Sequence, residues 1–105
     1  MVDKKNVLLV DAAGMSISLL AKKMDDYAEM NGLPYSVEGA ADSVGLDKAS
    51  ISDPKVILLA PQVRYLVSKY QKAYNNKIPV GLIDMTSYGI MDAGKVLKQV
   101  EALDK

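Results

Sequence analysis

The stretch Val7-Leu8-Leu9-Val10-Asp11-Ala12-Ala13-Gly14-Met15-Ser16-Ile17-Ser18 holds the change of period that decides the fold. Val7 to Val10 is an unbroken apolar run of strand length, the pattern of a parallel strand buried on both faces. Ala12 to Ser16 is a loop of small residues. From Ser16 the spacing changes: Ile17, Leu20, Ala21, Met24, Tyr27 and Ala28 recur three or four apart, with Lys22, Lys23, Asp25, Asp26 and Glu29 between them. That is an amphipathic helix, its charged residues read as an ordinary solvated face, and Asn31-Gly32 ends it.

Working outward, the alternation continues. Pro34 opens an extended segment in which Tyr35, Val37 and Gly39 alternate with Ser36 and Glu38, a strand nearer the sheet edge. Asp42 to Ser52 is polar and contains Gly45, and reads as a loop with one helical turn. Val56 to Ala60 is a second buried strand. Pro61 suits the first position of a helix whose stripe is Val63, Leu66, Val67, Tyr70, Ala73 and Tyr74, stopped by Asn75-Asn76. Pro79 to Ile83 is the fourth strand, Asp84 to Gly89 a loop, and Asp92 caps a last helix that turns Val96, Leu97, Val100 and Leu103 inward. Strands alternating with helices predict an α/β fold: one open parallel sheet with helices on both faces, in a single domain over residues 1–105.

Composition removes many functions. Thirteen basic residues balance thirteen acidic ones, which disfavours a general nucleic-acid binder. With no cysteine and no histidine, disulfides, thiolate zinc, thiol catalysis and Ser-His triads are absent as written, and neither a cofactor nor a metal site is expected. The apolar run before Asp11 is too short for a signal-peptide core or a membrane span, so a cytoplasmic location is the expectation.

Open parallel sheets bind ligands beyond the carboxyl ends of their strands. Four loops meet that edge: Asp11 to Ser18, Gly39 to Ser43, Pro61-Gln62, and Asp84 to Gly89. In the first, the backbone N–H groups of Ala12, Ala13, Gly14, Met15, Ser16, Ile17 and Ser18 and the positive end of the helix dipole converge, with the Ser16 and Ser18 hydroxyls as further donors. An anion such as phosphate would be held there. The bland alternative is that Ser16 only caps the helix and Asp11 only ends the strand. The loop is neither a Walker A sequence nor a dinucleotide fingerprint. Pro61, Gln62, Asp84 and Tyr88 lie at the same edge as possible pocket or partner contacts, although a loop tyrosine is more often a half-buried packing residue. Met15 is a candidate partner surface.

These residues resemble a family. Val7 to Leu20 is similar to the active-site loop of lactose/cellobiose-type enzyme IIB proteins of the bacterial sugar phosphotransferase system, where an apolar strand is followed by Cys, a small residue, Ala-Gly-Met-Ser-Thr-Ser and Leu-Leu. Leu59-Ala60-Pro61-Gln62-Val63 is similar to that family's Leu-Gly-Pro-Gln-Ile; Pro79-Val80, Ile83-Asp84 and Tyr88-Gly89 match its Pro-Val, Ile-Asp and Tyr-Gly. The resemblance spans essentially the whole chain. It implies a four-stranded sheet of order 2-1-3-4 and a monomer. It also implies a loop residue that takes a phosphoryl group from a histidine of enzyme IIA and passes it to a sugar, often a β-linked disaccharide, held by the membrane component IIC. The fold and loop also resemble low-molecular-weight tyrosine phosphatases, but the arginine of their loop falls on Ile17.

Two loop positions depart from the IIB pattern: Asp11 stands where the family has its phosphorylated cysteine, and Ile17 where it has threonine, removing a hydroxyl from the cradle. Three readings stay open. Asp11 blocks or imitates the phosphorylated state of a phosphocarrier; or the chain is a non-catalytic binding module with a permanently charged loop; or Asp11 is itself phosphorylated with Mg²⁺, although there is no Asp-x-Asp motif and the third strand ends in Ala60-Pro61 and not in an acid.

Overall fold

The computed structural model describes residues 4–104. Along the chain run β1 (Lys5–Asp11), α1 (Gly14–Met30), β2 (Tyr35–Ala41), α2 (Asp42–Ser52), β3 (Val56–Leu59), a 3-10 stretch (Pro61–Leu66), α3 (Val67–Ala73), β4 (Val80–Leu82), α4 (Met85–Gly89) and α5 (Ala93–Leu103). The strands form one sheet of order β2-β1-β3-β4, every pair parallel. This is the fold class and strand order expected from the sequence.

Val7 to Val10 and Val56 to Leu59 are fully buried because β1 and β3 are the inner strands, covered on both faces. α1 and α5 share one face of the sheet, where the Tyr27 ring lies over Gly94. α2 and α3 cover the other, where the Tyr70 hydroxyl donates to Asp42 Oδ1 at 2.9 Å and Tyr74 donates to the Leu46 carbonyl. Tyr27 is thus more open than its place in the helical stripe predicts, at 41 % exposure. Asp25, expected on a solvated face, accepts the Val37 N–H at 3.0 Å and so covers a backbone donor of edge strand β2.

Three further expectations are corrected. Asp42 to Ser52 is a regular eleven-residue helix rather than a loop with one turn. Gly45 disguised it: a Cβ there would collide with the Tyr70 hydroxyl, so the glycine answers to packing and does not break the helix. Asp84 to Gly89 is not a loop, since Asp84 caps α4 by accepting the Ser87 N–H at 2.9 Å and the Ser87 hydroxyl at 3.0 Å. Pro61 does open a helical segment, but as a 3-10 turn, with Val63 at φ −114°, ψ 31° before α3 begins.

Candidate functional site

β1 lies between β2 and β3, so the connections leaving β1 and β3 depart to opposite faces and open a crevice at the carboxyl edge of the sheet. Asp11 is the last residue of β1 and pairs with Ala41. Its side chain is only 6 % exposed; Asp11 and Ser87 are the two buried polar residues among the described ones. Both carboxylate oxygens are engaged. Oδ1 accepts the Ala12 N–H at 2.6 Å, and Oδ2 accepts the Tyr88 hydroxyl at 2.6 Å. These are short, charge-assisted bonds.

The loop after Asp11 is shorter than the sequence suggested. α1 begins at Gly14 with Ala13 as its N-cap, and no side chain caps it. Ser16 is therefore not the cap; it lies in the first turn, exposed, as Met15 is, and Ser18 is exposed one turn on. Ala12 and Ala13 are exposed and Gly14 is half-buried. The first-turn N–H groups carry no side-chain cap, and no acidic residue lies within that turn. The Ile17 side chain is fully buried in the core, as its place in the apolar stripe predicts, so only its backbone N–H is left to face the loop. The helix start sits tightly on the sheet at Gly39, where a Cβ would come within 2.9 Å of the Ile17 carbonyl oxygen and of Ser18 Cα.

Tyr88 reaches Asp11 because several contacts hold its helix. Asp84 caps α4, and Ser87 is buried beneath it. The Gln99 side chain of α5 accepts the Asp84 N–H at 2.9 Å and donates to the Leu82 carbonyl at 3.0 Å, fastening the end of β4. Burial, then the bond to Asp11 and its charge, push the Tyr88 phenol up to about 12, with the Gln62 side chain working in the opposite direction. The bonds from Ser87 hold the Asp84 carboxyl below its usual range. Asp84 is thus a cap that positions Tyr88; its own carboxylate turns to Ser87 and does not line the cleft.

Pro61, Gln62, Arg64, Met85, Tyr88 and Gly89 line a cleft of about 590 Å³ beside Asp11. Pro61, Gln62 and Tyr88 were singled out in the sequence; Met85 and Gly89 were placed at that edge only as members of the segment Asp84 to Gly89, and Arg64 was not. One signal pointed to Arg64: it is the single arginine of the chain, two residues after Pro61-Gln62. Among the described residues no three His, Cys, Asp or Glu side chains are grouped as metal ligands.

A parallel open sheet with one loop and one cleft at its switch point defines an α/β domain of the doubly wound class. Its family is given by the matches. The family model described as "PTS system, Lactose/Cellobiose specific IIB subunit" matches residues 6–99. An oligo-beta-mannoside-specific EIIB component of Bacillus subtilis is 39 % identical over 102 residues, covering 94 % of this chain and 95 % of that protein. A cellobiose-specific and a galactose-specific EIIB component, both from Lactococcus lactis, are each 39 % identical over 104 residues at the same coverage. Among solved structures, the lactose-specific IIB domain of Streptococcus pneumoniae superposes with a TM-score of 0.83 over 98 % of this chain and 100 % of that one, at 19 % identity, a likeness of fold. The cellobiose-specific IIB protein of Borrelia burgdorferi gives 0.71 over 95 % and 92 %, at 32 % identity. This chain belongs to the lactose/cellobiose-type IIB family of the sugar phosphotransferase system.

Proposed function

We propose that the chain occupies the IIB place between IIA and IIC of a system for a β-linked sugar, in the cytoplasm and at the membrane through IIC, with residue 11 at the phosphoryl-acceptor position and Asp11 holding that position as a fixed internal anion that blocks transfer. The observation that carries this reading is the engagement of both Asp11 oxygens, by the Ala12 N–H and the Tyr88 hydroxyl, in a side chain 94 % removed from solvent. A carboxylate so held is a weak nucleophile: each oxygen has already given electron density to a short hydrogen bond, and an incoming phosphoryl group would meet a buried like charge. Asp11 brings one negative charge where a phosphocysteine brings nearly two, so it imitates the loaded state in part.

The surroundings support partner docking. Met15 and Leu19 on α1, and Tyr65, Met85 and Ile90 around the cleft, are large apolar side chains left exposed. Such residues are common at protein contacts. The sugar is not read from likeness, because the relatives named for an oligo-beta-mannoside, galactose and cellobiose are all 39 % identical.

The test is the intact mass of the protein and of its Asp11→Cys variant after incubation with a complete donor chain ending in an active IIA. The expected result is one added phosphoryl group on the variant and none on the protein itself. Failure of the variant to gain one, with the same IIA active on another IIB, removes residue 11 from the acceptor role. A gain by the unaltered protein refutes the block and makes one of its own side chains a working acceptor.

A further inference from the structure

We infer that Tyr88 is a positioning residue for the acceptor position: a rigid, capped helix holds its hydroxyl as a proton-bearing donor aimed at whichever atom residue 11 presents. The inference rests on the reading of residue 11 given above, and deepens it.

Three features of the geometry carry it, and the protonation of the phenol agrees with them. The hydroxyl stands 2.6 Å from Asp11 Oδ2, across 77 residues of sequence. The helix that carries it is held at its start by Asp84, from beneath by buried Ser87, and at the β4 junction by Gln99. That support fixes a single direction for the Tyr88 side chain. Tyr88 also lines the cleft, so one residue joins the cleft to residue 11. The phenol keeps its proton well above neutral pH, so at working pH it donates and does not compete as an anion.

A donor fixed in this way stabilises negative charge on residue 11 and holds that side chain in one rotamer. With aspartate present, the bond ties the carboxylate down. With a thiol in the same place, the donor would favour the thiolate and lower its pKa, as donors and positive charges around reactive cysteines do. The other charged groups on neighbouring elements are Arg64 in the cleft wall, Asp42 at the start of α2, bonded by Lys69 and Tyr70, and Asp84, bonded by Ser87. None of them is altered by removing the Tyr88 oxygen.

The test needs no phosphoryl donor, so its failure is distinct from failure of the acceptor reading. The rate of alkylation by iodoacetamide is followed against pH in Asp11→Cys and in Asp11→Cys with Tyr88→Phe, with circular dichroism on both. The expected result is a midpoint raised by about one pH unit when the hydroxyl is removed, which is about tenfold less thiolate at any pH below the midpoint. A midpoint that stays in place, or moves down, in a folded double variant overturns the inference. Should Tyr88→Phe fail to fold, Asp11→Cys with Gln99→Ala, which releases the β4–α4 junction without changing any charge, is expected to move the midpoint in the same direction by less; an unmoved midpoint there overturns the inference equally.

Discussion

At the scale of single residues, Asp11 and Tyr88 form a pair whose two ends depend on each other. Asp11→Ala would leave the hydroxyl of half-buried Tyr88 and the N–H of exposed Ala12 without their acceptor; a fully buried donor left unpaired costs about 1–3 kcal/mol, and access of water to these two puts the loss at the low end of that range. Urea unfolding is expected to report a loss in that range. Asp11→Asn is expected to cost less, because its amide oxygen still accepts one of the two donors while its NH₂ faces the other. If both variants matched the unaltered protein, the pair would carry no stability. Asp11 and Tyr88 were each legible in the sequence as candidates, Asp11 from its place after an apolar run and Tyr88 from its place at the sheet edge. The bond between them was not, because nothing local in either segment points to the other.

At the scale of elements, the position of the loop depends on how α1 seats against β2. Gly39 is the point of closest approach: an added Cβ would meet the backbone of α1 at Ile17 and Ser18, which cannot rotate away. Gly39→Ala is expected to lower stability by about 1–3 kcal/mol through overpacking, measured by urea unfolding, and to shift the backbone amide resonances of residues 11–14. Gly89→Ala is the contrast, since a Cβ there meets nothing within 4 Å and the backbone needs no left-handed angle. It is expected to leave the unfolding midpoint unchanged, and a loss as large as that of Gly39→Ala would contradict the packing argument. The same elements explain which boundaries were readable. α1 and α5 have sided apolar stripes and sharp ends, whereas α2 buries only Gly45 and Ala49 and α4 is a single capped turn. A helix whose inward face is a glycine and an alanine has no stripe to detect.

At the scale of the whole molecule, two buried phenols and a half-buried third tie distant parts of the chain together. Tyr35 donates to Asp104 at 3.0 Å, beside the Lys5 ion pair; Tyr70 donates to Asp42; and Tyr88 donates to Asp11. Burial, reinforced by the carboxylate each one faces, raises Tyr35 and Tyr88 to about 12 and Tyr70 further still. In the unfolded chain all three would ionise near 10. A raised folded value means the folded state holds these protons more tightly. Their contribution is therefore complete below about pH 10 and falls away as pH rises through 12. The expected outcome is a urea midpoint that is level from pH 8 to 9.5 and drops steeply above 10, with a shallower drop in Tyr70→Phe. A midpoint level to pH 11.5 would mean that the three phenols titrate alike in both states.

The sequence alone determined the fold class, the place of the buried strands, and the small-residue turn that follows Asp11. Each of these follows from local order: the period of apolar residues, small residues at a turn, and a glycine or an Asp at a helix end. Tertiary structure decided that Tyr27 stays half open, that Asp25 covers an edge strand, that Gly45 sits inside a helix, and that Asp11 is bonded by Tyr88. These depend on which side chains meet across the sheet, and such contacts are set by packing and burial between segments far apart in the chain.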